Sequence, residues 1–191
     1  MNRNEIKVDL VIMACSAGGM FVLIDLLGSL KAEVGFAVLV VVHRSDKFQS
    51  SLEEMAQQKC KLRVKQAEEK ERIESGIVYF APGGYHLLIE KDKTISLDVS
   101  EPVNFCRPSI DVTMQSAVEI YQDHIVAILL SGANKDGAEG IRAVYKSGGV
   151  TLVQNPSLAE VDVMPRAAIA TDAVVSVLSD DELKAYCLSL S

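Results

Sequence analysis

Apolar residues fall along this chain in two rhythms. Val8–Cys15 is a largely apolar run that stops at Ser16-Ala17-Gly18-Gly19, after which Met20, Phe21, Leu23, Ile24, Leu27 and Leu30 recur at helical spacing. That order predicts a strand, a tight turn and a helix. Phe36–Val42 is short, β-branched and wholly apolar, as a strand covered on both faces of a parallel sheet should be. It ends at His43, and the polar Arg44-Ser45-Asp46-Lys47 leads into a helix expected over Phe48–Lys59. Between Leu62 and Asp98 the texture changes to short alternating pieces, Ile77–Phe80, Leu87–Ile89 and Thr94–Leu97, separated by Pro82-Gly83-Gly84 and Lys91-Asp92-Lys93. Such pieces predict hairpins inserted into the main sheet or flanking it. The strand–helix alternation then resumes. A helix is expected near Ser109–Gln122 behind Pro108, a buried strand at Ile125–Leu130, and a helix over Asp136–Ser147 stopped by Gly148-Gly149. Val150–Gln154, a short helical piece after Pro165, Ala173–Leu178 and a helix at Asp180–Leu188 complete the pattern. The expected fold is α/β, a doubly wound, mainly parallel sheet with helices on both faces and an inserted β-hairpin region.

Composition narrows the class. The 191 residues carry no low-complexity linker and no internal repeat, so one domain over 1–191 is expected. Twenty-six acidic against nineteen basic residues give a formal charge of −7, with no Lys/Arg stripe, which argues against a nucleic-acid partner. The longest apolar stretches fall far short of the roughly 20 residues of a membrane span. Arg3, Glu5 and Lys7 do not resemble a signal peptide, so a soluble cytoplasmic protein without membrane insertion is expected. Cys15, Cys60, Cys106 and Cys187 are widely spaced with no CxxC pair, which leaves neither a zinc ribbon nor a redox motif and favours reduced thiols. No metal and no cofactor are expected; GxGxxG and the Walker GK[ST] are both missing.

In an open parallel sheet, ligands gather at the carboxyl ends of the strands. Three residues of complementary chemistry fall there: Ser16 directly after the first strand, His43 directly after the second, and Asp136 a few residues beyond Ile125–Leu130. Together they are the parts of a nucleophile, a general base and an orienting carboxylate. The small residues around Ser16 suit a sharp strand-to-helix turn with an exposed hydroxyl. Each residue also has a plainer reading alone: Ser16 as a helix cap, His43 as a loop histidine, Asp136 as a cap before a turn glycine. Cys15 is a rival nucleophile that should point into the packed layer. His86 either lines a cleft or anchors a hairpin turn, and His124 falls at the amino end of a strand, the wrong edge for this chemistry.

Six ordered blocks carry a resemblance. They are Ala14-Cys15-Ser16-Ala17-Gly18-Gly19; Val42-His43 with Phe48; Tyr79-Phe80-Ala81-Pro82-Gly83 with His86; Arg107-Pro108-Ser109-Ile110-Asp111; Leu130-Ser131-Gly132 with Asp136-Gly137-Ala138-Glu139-Gly140; and Met164-Pro165-Arg166-Ala167-Ala168-Ile169. In this order the chain, from about Val8 to Leu178, resembles the catalytic domain of the CheB-type chemoreceptor protein-glutamate methylesterases. The resemblance implies a serine hydrolase that cleaves γ-glutamyl methyl esters on the cytoplasmic helices of methyl-accepting chemoreceptors and, in many members, deamidates glutamines. It implies Ser16 as nucleophile, His43 as base and Asp136 as the orienting carboxylate. Ala17, Ala133, His86 and Met164 are the residues expected to line the oxyanion site or the substrate cleft. The chain departs from the family pattern at Ala17, Arg44-Ser45 and Ala133, which motivates an alternative, a catalytically weak adaptor that docks receptor helices or another signalling protein. A small-ester or amide hydrolase is a third reading. Typical members add an amino-terminal receiver domain; a chain of 191 residues has room for the catalytic domain alone, so an open enzyme or one controlled by a separate regulatory protein is expected.

Overall fold

The computed structural model describes residues 7–45 and 51–190. Its strands are β1 (Leu10–Cys15), β2 (Ala37–Val42), β3 (Arg63–Gln66), β4 (Ile77–Phe80), β5 (His86–Ile89), β6 (Ile95–Asp98), β7 (Ile125–Leu129), β8 (Val150–Gln154) and β9 (Ser176–Leu178). The helices are α1 (Met20–Ser29), α2 (Leu52–Lys59), α3 (Ile110–Tyr121), α4 (Ala138–Lys146), α5 (Val163–Ile169) and α6 (Asp180–Ser189). Seven strands form one sheet in the order β3-β4-β2-β1-β7-β8-β9, all paired parallel, and β5-β6 form a separate antiparallel hairpin.

The period-two geometry of a strand sorts β1 into two layers. Leu10, Ile12 and Ala14 join one core with residues of α3, α4, α5 and the hairpin, while Val11, Met13 and Cys15 join the other with residues of α1, α2 and α6. Both faces of β1 and β2 are therefore covered, which is why their sequences read as unbroken apolar runs. The first-to-second strand connection runs one way along the sheet and β7, β8 and β9 run the other, so the switch point lies between β1 and β7.

The doubly wound α/β expectation is met, with differences in detail. Ile77–Phe80, expected as a hairpin piece, lies in the main sheet between β2 and β3; its neighbours cover it on both sides, so its local sequence carries no hairpin information. β3 escaped the apolar pattern because it is a polar edge strand with exposed ends. The helix expected over Asp136–Ser147 begins at Ala138, because Gly137 takes a left-handed conformation at φ +99° and serves as its N-cap. The strand expected from Ala173 pairs only over Ser176–Leu178. In the described part the helix expected from Phe48 runs from Leu52; Phe48, like Arg3 and Glu5, lies outside the described residues. Among the described residues no helix is long and apolar enough to cross a membrane.

Candidate active site

Register brings the first two residues together. Cys15 pairs with Val42, so Ser16 and His43 each stand one step past the same rung of two adjacent strands, and His43 N–H donates to the Cys15 carbonyl at 3.4 Å. Continuing the alternation, Ser16 follows Ala14 and His43 follows Val41, both on the face covered by α3. Cys15 goes to the opposite layer, fully buried, and burial pushes its thiol up to about 12. It is not a competing nucleophile.

The turn after Ser16 depends on two glycines. Gly18 has φ +78°, and a Cβ there would lie 2.6 Å from Glu160 Cβ; a Cβ on Gly19 would lie 2.5 Å from Cys15 Cβ. Ser131, two residues past the end of β7, clasps this turn. Its carbonyl accepts the Ser16 N–H at 2.9 Å, and its hydroxyl lies 2.8 Å from the Ala17 carbonyl and 3.0 Å from that of Val161.

Asp136 is buried beneath His43, with its Oδ2 2.7 Å from His43 Nε2. The N-terminus of α3 surrounds the same carboxylate: Ile110 N–H donates at 2.7 Å, Asp111 N–H at 3.2 Å and the Ser109 hydroxyl at 2.8 Å. Unpaired amides and the helix dipole both favour an anion at this place. Burial pushes the Asp136 pKa upward, but the bonds from His43, Ile110 and Ser109 outweigh it and hold the carboxyl below the usual range. Asp111, also buried, fixes the other side by accepting from Gly137 N–H at 2.8 Å and Gly140 N–H at 2.7 Å. Asn104 Nδ2 donates to both carboxylates, at 3.1 Å to Asp111 and 3.4 Å to Asp136.

The second ring nitrogen of His43 meets a residue the sequence did not suggest. Cys106 Sγ lies 3.4 Å from His43 Nδ1, and Asn134 Nδ2 lies 3.0 Å from the same sulfur. Burial raises the Cys106 pKa, Asn134 opposes the rise and the Asp136 charge adds to it. No hydrogen bond joins Ser16 Oγ to His43 among the described residues. Ser16 and His43 each follow paired residues of adjacent strands, Cys15 and Val42, and hydrogen bonds of catalytic groups are often loose before substrate binds.

The residues expected to line the cleft divide. Ala17 and Ala133 are both exposed, each on a loop that follows a central strand. His86 is not a cleft residue: it is 1% exposed, its Nδ1 accepts from Ser109 N–H at 3.2 Å and its Nε2 lies 3.1 Å from the Glu101 carbonyl. It braces the α3 N-terminus from below. Met164 is also fully buried, packed so closely on Gly132 that a Cβ there would lie 2.5 Å from Met164 Cε, and its side chain supports the loop. His124, as expected, sits at the opposite sheet edge, 3.1 Å from Asp9 Oδ2. Ser109 and Asp111 were visible only as members of an ordered block, since nothing local to residue 136 names its partners.

Comparison with known proteins is consistent across sequence and structure. A family model described as CheB methylesterase matches residues 11–187. A Leptospira interrogans protein, provisionally named protein-glutamate methylesterase/protein-glutamine glutaminase, is 42% identical over 173 residues, covering 91% of this chain and 90% of the relative. Proteins of that name from Symbiobacterium thermophilum and Halobacterium salinarum are 34% and 37% identical, covering 88% and 91% of this chain but 47% and 51% of the relatives, so the chain spans about half their length. The crystal structure of the Thermotoga maritima CheB methylesterase catalytic domain superimposes with a TM-score of 0.90 at 29% identity, covering 96% of this chain and 99% of that one.

Proposed function

This chain belongs to the CheB methylesterase family, and on that premise we propose that it hydrolyses γ-glutamyl methyl esters on the cytoplasmic helices of chemoreceptors, and deamidates glutamines there, through Ser16, His43 and Asp136. The observation that supports the assignment is the 2.7 Å bond between His43 Nε2 and Asp136 Oδ2, with Ser16 and His43 each one residue past the paired Cys15 and Val42 of adjacent strands. With Nε2–H committed to the carboxylate, Nδ1 is left as the proton acceptor.

Ser16 Oγ attacks the ester carbonyl carbon while His43 Nδ1 takes its proton. The tetrahedral intermediate then expels methoxide, which leaves as methanol with the proton from His43. Water, deprotonated by His43, attacks the acyl-enzyme and releases the glutamate carboxylate and free Ser16. Glutamine follows the same course with ammonia as the leaving group. The Ala17 and Ala133 N–H groups have no acceptor among the described residues and serve as the oxyanion donors. A backbone donor tolerates the departures at Ala17 and Ala133, because it does not depend on the side chain. Phe105, which precedes Cys106 in the chain, and Phe21, in the first turn of α1, are exposed aromatics available to pack on a receptor helix. A non-catalytic adaptor is not favoured, since the matched relatives carry hydrolase names and Asp136 is built into a complete hydrogen-bonded cradle.

The test is methanol release from methylated receptor or from a glutamyl methyl ester peptide. Wild type releases methanol; Ser16→Ala falls to background, a loss of about 10⁴-fold or more, with an unchanged melting temperature. Equal release by the two proteins removes Ser16 from the mechanism.

A further inference from the structure

We propose that the active site doubles as an inhibitory Zn²⁺ site in which His43 Nδ1 and Cys106 Sγ are the protein ligands. The inference rests on His43 being the general base, because an ion on Nδ1 takes the lone pair that would accept the Ser16 proton. His43, Cys106 and Asp136 are the group, among the described residues, whose ligand-type atoms all lie within 4.8 Å of one another.

Geometry separates ligands from support within that group. Zn–N bonds of about 2.0–2.1 Å and a Zn–S bond of about 2.3 Å, opened to a tetrahedral angle, place nitrogen and sulfur about 3.5 Å apart. The observed Nδ1···Sγ distance is 3.4 Å. The spacing of the two atoms therefore matches that of a pair bridged by one ion. Asp136 is not free to ligate, since its oxygens already accept from Ile110, Ser109 and Asp111. It acts instead on the far ring nitrogen, and a carboxylate on the non-ligating nitrogen is the support that metal-binding histidines usually have. Asn134 Nδ2, 3.0 Å from Cys106 Sγ, is placed to donate to a thiolate.

Binding is balanced by one proton: Cys106 releases its thiol proton to solvent as the Zn–S bond forms. His43 gives a lone pair and loses nothing. Cys106 is only partly buried and follows the fully exposed Phe105, so the ion has a route from solvent. Two protein ligands leave the remaining positions to water, which marks an exchangeable site and not a structural one.

The experiment titrates the whole protein, wild type and Cys106→Ser, with Co²⁺ alone and then Zn²⁺, and separately measures methanol release under Zn²⁺, each protein against its own metal-free rate. Wild type should develop a thiolate-to-cobalt charge-transfer band that Zn²⁺ abolishes, and should lose hydrolysis under Zn²⁺ and regain it with chelator. Cys106→Ser, with Cys106→Ala as a second variant should the first not fold, should show no such band and need at least about tenfold more Zn²⁺ for half inhibition. A band of equal strength in the variants, no band in wild type, or the same Zn²⁺ sensitivity in all three overturns the proposal. If no substrate is hydrolysed even without metal, the methylesterase assignment fails, while the cobalt band still decides whether the site exists.

Discussion

Two buried carboxylates, Asp136 and Asp111, meet at the N-terminus of α3 with opposite leanings. Asp136 is held below the ordinary carboxylate range, whereas burial first, and the neighbouring Asp136 charge after it, raise Asp111 to about 6 despite the Gly140 and Gly137 amides. The sign of each contribution to stability follows. Asp136 binds protons less readily folded than unfolded, so its stabilisation is present above its ordinary value and is lost as pH falls through its folded value. Asp111 binds them more readily when folded, so its contribution declines as pH rises from about 4 to about 6 and is constant above that. Asp111→Asn should therefore remove a decline in unfolding free energy between about pH 4 and 6, measured by urea denaturation across that range. An unchanged pH profile would exclude the coupling. Neither partner of Asp136 in α3 was legible from the sequence as such, because the contact joins residues about 25 positions apart through a helix end. Cys106 escaped for a related reason: spacing arithmetic compares cysteines with near neighbours, and its companion His43 arrives from the end of β2, 63 positions earlier.

At the scale of elements, the turn from β1 into α1 fixes where Ser16, the proposed nucleophile, stands. Its glycines were legible as punctuation, and the structure supplies the reason, which is close approach to Cys15, Ser131 and Glu160. Gly19→Ala forces a Cβ to within 2.5 Å of Cys15 Cβ, and Gly19 lies in the α1 cap where the backbone has little room to yield. We expect a destabilisation of about 1–3 kcal/mol, the usual cost of overpacking, together with a fall in kcat as Ser16 shifts. Thermal melts and methanol release on the same preparation check both. Loss of stability with unaltered kcat would mean that the turn is not what positions Ser16. The α3 cradle and the Ser131 clasp show the same economy of parts: helix ends and strand ends, not long side-chain networks, hold the site.

For the whole molecule, the buried parallel strands were legible because both layers cover them, and β3 was not because an edge strand has only one neighbour and a polar face. The candidate triad was legible because strand ends are read directly from where apolar runs stop. The same topology has a kinetic consequence. Ser16 and His43 leave neighbouring strands early in the chain, but Asp136 reaches them only through the pairing of β1 with β7, in which Leu10 is matched to Ile125. Closing so long a loop is slow relative to forming helices. Hydrolytic activity during refolding should accordingly lag the far-ultraviolet helix signal, and its appearance clocks the moment when the two halves of the sheet join.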